Sequence, residues 1–122
     1  MTLRNKLTEE FLLSLKEVEP FLLTLQFKPY SYLEKGLAYY IEYKKESTGS
    51  VVEFLFGPSE WMIEMIIFTS KGKFEFKDLF EILAITKWLN DNKYKQENVR
   101  DIKNEMLYFI ELLKVSLPVI EC

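Results

Sequence analysis

Between Thr8 and Leu25 the apolar residues Phe11, Leu12, Leu15, Val18, Leu22 and Leu25 recur at helical spacing, the pattern of a helix that buries one stripe. Thr8 and the glutamates after it supply a start signal. Pro20 removes an interior hydrogen bond and crowds the turn before it, so the pattern predicts a break or kink near Glu19, with Pro20 to Leu25 as a short second helix. After an ill-determined link through Lys28 to Tyr32, the period changes to two. Leu37, Tyr39, Ile41 and Tyr43 alternate with Ala38, Tyr40, Glu42 and Lys44, and Glu46 to Gly49 offers the turn of a hairpin. The return strand is Val51 to Phe56. Gly57 to Glu60 is a second turn, Trp61 to Thr69 a third strand, and Ser70 to Lys73 turns the chain toward Phe74 to Phe76.

Helical spacing then returns. Asp78 with Glu81 three residues on reads as a capping box, followed by Leu79, Ile82, Leu83, Thr86 and Leu89 up to Asn90. Asn98 is the expected cap of a last helix whose stripe is Val99, Ile102, Met106, Phe109, Ile110 and Leu113, with Pro118 as its stop. The order predicts a single α+β domain over residues 1–122. It comprises an N-terminal helix, an antiparallel meander of three to four strands and two C-terminal helices packed on one sheet face.

Composition narrows the function more than it names it. The 122 residues include 48% hydrophobic and 16% aromatic residues, enough to fill one core, and 19 acidic against 16 basic side chains leave a net charge of −3. That balance provides no basic field for a phosphate backbone, so no nucleic-acid partner is expected. Lys93 to Gln96 places an aromatic between two lysines, and loop solubility accounts for it better than base stacking does. The N-terminus has carboxylates where a signal peptide needs an apolar stretch, so the mature chain is expected to begin near Met1. No apolar run approaches a membrane span, and the lone Cys122 cannot close an internal disulfide. These features predict a cytoplasmic protein with no membrane partner.

Histidine is absent, which removes the commonest general base and the commonest nitrogen ligand for metals. The four glycines fall in expected turns, none at a phosphate-loop spacing. The expectation is therefore no enzyme, no metal and no cofactor, although a pair of carboxylates brought together by the fold is not visible at this level.

Glu42, Glu53 and Glu64 stand eleven residues apart in consecutive expected strands. Turns centred on Ser47–Thr48 and Pro58–Ser59 would set the three side by side. That register would stack Ile41, Phe54 and Ile63 on the opposite face, with Tyr43, Val52 and Met65 above and Tyr39, Phe56 and Trp61 below. Like charges directly opposed cost about 0.2–1 kcal/mol per pair. One reading is a carboxylate stripe flanked by Tyr40, Leu55 and Met62 on one side and Val51 and Ile66 on the other, suited to a basic protein surface. The other is an ordinary solvated face neutralised by Lys44 and other lysines. Trp61 is expected in the core, and Trp88 either in the core or as an interface anchor.

The stretches Gly36 to Tyr43 and Phe56 to Trp61, over the middle half of the chain, together with the order of elements and the acidic balance, resemble the small immunity proteins that bacteria keep against polymorphic or contact-dependent toxins. The resemblance implies a stoichiometric inhibitor that covers a toxin's active surface, often a cationic one. It implies a protein partner but carries over no site residues. Two alternatives stay open: a homo-oligomeric protein, a homodimer for instance, in which the apolar part of the face pairs with itself, and a small-ligand domain with a Tyr- and Phe-lined pocket between sheet and helices.

Overall fold

The computed structural model describes residues 3–57, 61–94 and 101–121. The first helix, α1 (Leu3–Thr24), buries Phe11, Leu15, Val18 and Leu22, a single stripe at steps of four and three. Contrary to the expected break near Glu19, α1 runs through Pro20. Pro20 and Lys16 both lie on the exposed side, so water can take up the Lys16 carbonyl that proline leaves without a donor. Gln26 then adopts a left-handed φ of 72° and turns the chain into the sheet.

Five antiparallel strands follow in sequence order: β1 (Phe27–Lys35), β2 (Ala38–Lys45), β3 (Val51–Phe56), β4 (Ile63–Thr69) and β5 (Gly72–Phe74). The meander therefore has five strands where three or four were expected. Strand β1, read as a link, is an edge strand with only Phe27 buried and a register irregularity between Pro29 and Ser31. Proline is tolerated at such an edge because no ladder bond is lost there. Gly36 and Leu37 form the β1–β2 turn with φ of 57° and 71°, the handedness that matches strand twist in a two-residue hairpin. Leu37 thus leaves the strand expected for it.

The expected pairing of the first hairpin holds, with Ile41 opposite Phe54, Glu42 opposite Glu53 and Tyr43 opposite Val52. The second hairpin does not follow expectation. Phe54 opposes Met65 instead of Ile63, Val52 opposes Ile67, and Glu53 opposes Ile66 instead of Glu64. A slip of two residues preserves which face each side chain occupies, so burial alone cannot detect it. The slip brings Ile67, fully buried, over the core. It also frees Trp61 from β4 into a turn at φ 51°, with its ring centred 5.6 Å from Phe56.

Among the described residues three helices, one more than expected, follow the sheet: α2 (Phe76–Phe80), α3 (Leu83–Asp91) and α4 (Ile102–Ile120). The stretch read as one helix from Asp78 is divided at Glu81 and Ile82. Asp78 does not start it; it is the third residue of α2 and accepts from the Glu75 backbone amide at 2.8 Å, closing a capping box with Glu75 as the cap. Asp101 caps α4 by accepting from the Asn104 amide at 3.0 Å. Asn98 and Val99 lie outside the described residues. Pro118 does not stop α4, which continues to Ile120.

One core joins everything. Phe11, Phe27, Phe54 and Phe56 are fully buried, and the rings of Phe11 and Phe56 stack at 4.6 Å. Each such side chain contributes about 1.5–3 kcal/mol by leaving water. Leu79, Ile85, Leu89, Ile102, Met106, Ile110 and Leu113 meet the odd-numbered strand residues Ile41, Tyr43, Ile63, Met65 and Ile67 and the even-numbered Val52, Phe54 and Phe56 in the same cluster. The helices therefore occupy one face of the sheet. Polar contacts also fasten the layers. The Tyr43 hydroxyl donates to Glu19 of α1 at 3.1 Å. Glu121, just past α4, accepts from Lys45 at 2.9 Å, Ser50 at 2.7 Å and Thr48 at 2.8 Å. No helix among the described residues is long and apolar enough to cross a membrane.

Candidate docking surface

Strand residues alternate between faces, so the face opposite the helices follows from the register. Directly opposed residues there run Leu33, Tyr40, Leu55, Glu64 in one row and Ser31, Glu42, Glu53, Ile66 in the next. A third row holds Lys28, Lys44, Val51, Phe68 and Lys73. None of these side chains belongs to the core cluster or packs against it. Ile66 is nonetheless buried. The surface is graded: apolar with one carboxylate at the end near the β1–β2 turn, acidic in the middle, basic at the far end.

The expected straight row of three glutamates is not formed. Glu42 and Glu53 oppose each other directly, while the two-residue slip moves Glu64 one row along, opposite Leu55. Glu64 stays on the same face, diagonal to Glu53, and is exposed. Tyr40 and Leu55 flank the carboxylate pair as expected. Met62 precedes β4 and stands exposed at the end of the face. Leu33, Phe68 and Lys28 complete the surface. They were missed because β1 was not read as a strand and because the true register of β4 was not visible.

Partial burial, the charge of Glu42 and a hydrogen bond between the two carboxyl groups push the Glu53 pKa up, and Lys73 opposes this only in part. Among the described residues, no lysine or arginine nitrogen lies within ion-pair distance of Glu42, Glu53 or Glu64. The lysines expected to neutralise the face are engaged elsewhere: Lys44 sits 4.9 Å from the centre of the Tyr30 ring, and Lys73 pairs with Glu75 at 3.4 Å. The carboxylate pair is thus opposed by like charge and left without a close cation.

Comparison with family models, with curated proteins and with solved structures finds no match. The chemistry of the chain has to be read from its own surfaces.

A groove adjoins the face at its β4 end. With a volume of about 1030 Å³, it runs between β4 and the three C-terminal helices, and its walls include Met62 to Ile66, Phe76, Phe80, Leu89, Tyr94, Tyr108 and Phe109. No signal in the sequence groups these residues, since four separate elements supply them. The groove meets the open face at Glu64 and Ile66, which border both. Among the described residues no cluster of three or more His, Cys, Asp or Glu side chains is placed to hold a metal ion. Trp61 is half-buried against Phe56. Trp88 is half-buried against Tyr108, ring centres 5.5 Å apart, so it packs along the margin of the core.

Proposed function

We propose that this chain is a protein-binding module of the immunity type, which docks a cationic surface of its partner onto the uncovered sheet face. The observation that carries the reading is the Glu42–Glu53 pair: two carboxyl groups held directly opposite each other, with no cation within ion-pair distance among the described residues and Lys73 offsetting their repulsion only in part, on a face no described helix covers. Such an arrangement costs the free protein stability. A guanidinium or ammonium group placed between the two would remove that repulsion, convert it to attraction and lower the Glu53 pKa again. Tyr40 and Leu55 supply apolar contact beside the charge, with Met62 at the margin, the mixture of anchors and charge that interfaces favour. Glu64, diagonal to the pair, widens the acidic zone toward the groove. Steering by such a field speeds encounter with a basic partner and weakens with salt.

The test is the complex itself. Replacing Glu42, Glu53 and Glu64 together by glutamine keeps shape and hydrogen-bonding capacity while removing charge. It should weaken partner binding by about tenfold or more and flatten its salt dependence. Unchanged affinity and salt slope would reject the reading.

A further inference from the structure

Strand β4 has seven residues, but β5 pairs with only its last three, Ile67 to Thr69. After Phe74 the chain turns away into α2, so among the described residues no strand covers the edge from Ile63 to Ile66. In an antiparallel strand every second residue directs its N–H and C=O toward a given edge. Half of the backbone groups in this stretch therefore point where a further strand would lie. The groove sits against that edge: Met62, Ile63, Glu64, Met65 and Ile66 line it consecutively, as residues of a strand seen edge-on do, because successive side chains point to opposite faces. Its rim carries a concentration of exposed large apolar side chains, with Met62 55%, Phe76 46% and Phe80 45% accessible, and its floor reaches Leu89 and Phe109.

We propose that the edge of β4 from Ile63 to Ile66 receives an extended peptide segment of a partner protein, which continues the line of β5 and places alternate apolar side chains in the groove between Phe76, Phe80 and Phe109. A backbone with unsatisfied donors and acceptors in register with the strand is the chemistry the edge calls for. The open stretch spans about 13 Å at roughly 3.3 Å per residue, matching a segment of about four residues. Glu64, Glu75 and Glu105 border the groove beside Lys77 and Lys93, so its charged margin is of mixed sign. The inference rests on the chain being a protein-binding module, but it uses a site separate from the Glu42–Glu53 pair.

The experiment is to select from a displayed library of random peptides of roughly eight residues against the intact protein, then titrate the enriched peptides by fluorescence anisotropy. The expected result is peptides with apolar residues at alternate positions. Their binding should fall about tenfold or more with Phe80→Ala, and separately with Met62→Lys, in variants whose circular dichroism and melting match the parent. N-methylation of alternate peptide amides should weaken binding to a similar degree, because it blocks strand pairing without removing side chains. Glu42→Gln with Glu53→Gln should leave this binding unchanged, which separates failure here from failure of the sheet-face reading. The inference is overturned if no selected peptide is sensitive to Phe80→Ala or Met62→Lys. It is overturned equally if N-methylation has no effect, pointing to a helix or small apolar ligand in the groove, or if the groove variants abolish self-association, pointing to a second copy.

Discussion

If Glu53 faces Glu42 without a cation, replacing Glu53 by glutamine should stabilise the free protein above the pH at which the pair ionises. The folded-state pKa of Glu53 is raised from the ordinary 4.5. A carboxyl whose folded pKa is raised binds more protons folded than unfolded in the interval between the two values, so stability falls as pH rises through that interval. Below 4.5 the group is protonated in both states and the wild type and Glu53→Gln should coincide. Above the raised value the full penalty is present. Directly opposed like charges in a sheet cost about 0.2–1 kcal/mol, which for a chain of this size amounts to about 1–4 °C in melting temperature. Thermal melts of both proteins at a series of pH values, in low and in high salt, measure it. The gap should open above pH 4.5, level off above the raised value and shrink in molar salt. Glu42→Gln should give only part of the gain, because it removes the like charge but leaves Glu53 partly buried, and the double variant should gain little more than Glu53→Gln alone. A Glu53→Gln protein that matches the wild type at every pH, or that is less stable at pH 7, would refute the reasoning.

Glu121 should show the opposite sign. Burial alone would raise its pKa, but hydrogen bonds from Ser50, Lys45 and Thr48 and the charge of Lys45 hold it below 4.5, so its contribution is present above that pH and lost as pH falls through the lowered value. Glu121→Ala should cost about 2–3 kcal/mol at pH 7 by urea unfolding, less at strongly acid pH. Leu37→Gly relieves a non-glycine residue at φ 71° in the β1–β2 turn and should stabilise by about 1 kcal/mol in the same assay. Phe54→Ala in the centre of the core should cost about 3–5 kcal/mol, seen as a large fall in melting temperature.

The coarse order of helix, antiparallel meander and helices, and the helix-covered face, are legible from period alone, because Ile41, Tyr43, Val52, Phe54 and Phe56 alternate cleanly and Phe11, Leu15, Val18 and Leu22 do not depart from a helix. What failed has specific causes. Strand β1 hides because an edge with Pro29 and no buried residue beyond Phe27 leaves no alternation to see. The β4 register hides because a slip of two keeps every side chain on its face, so only the longer loop and Trp61 stacking on Phe56 select it. Leu83 was counted into a helical stripe with Ile82. It stands 85% exposed just after the boundary between α2 and α3, and nothing local marks that boundary. The pattern predicts a break at Pro20 and a stop at Pro118, yet both sit on exposed helix positions where water can satisfy the freed carbonyl. Of the acidic site, the opposed pair was readable and the third member was misplaced by one row. The groove was not readable at all, since it exists only where β4 and three helices converge.

The central claim is that the face opposite the helices is the surface the partner covers. Photocrosslinking in the native cell tests it directly, with the reactive side chain placed at Tyr40 or Leu55 on that face and, for comparison, at Leu13 on the exposed side of α1. The account predicts one and the same protein adduct from Tyr40 and from Leu55, lost when Glu42 and Glu53 are glutamine, and none from Leu13. An adduct that forms equally well from Leu13, or none from either sheet position, would contradict it.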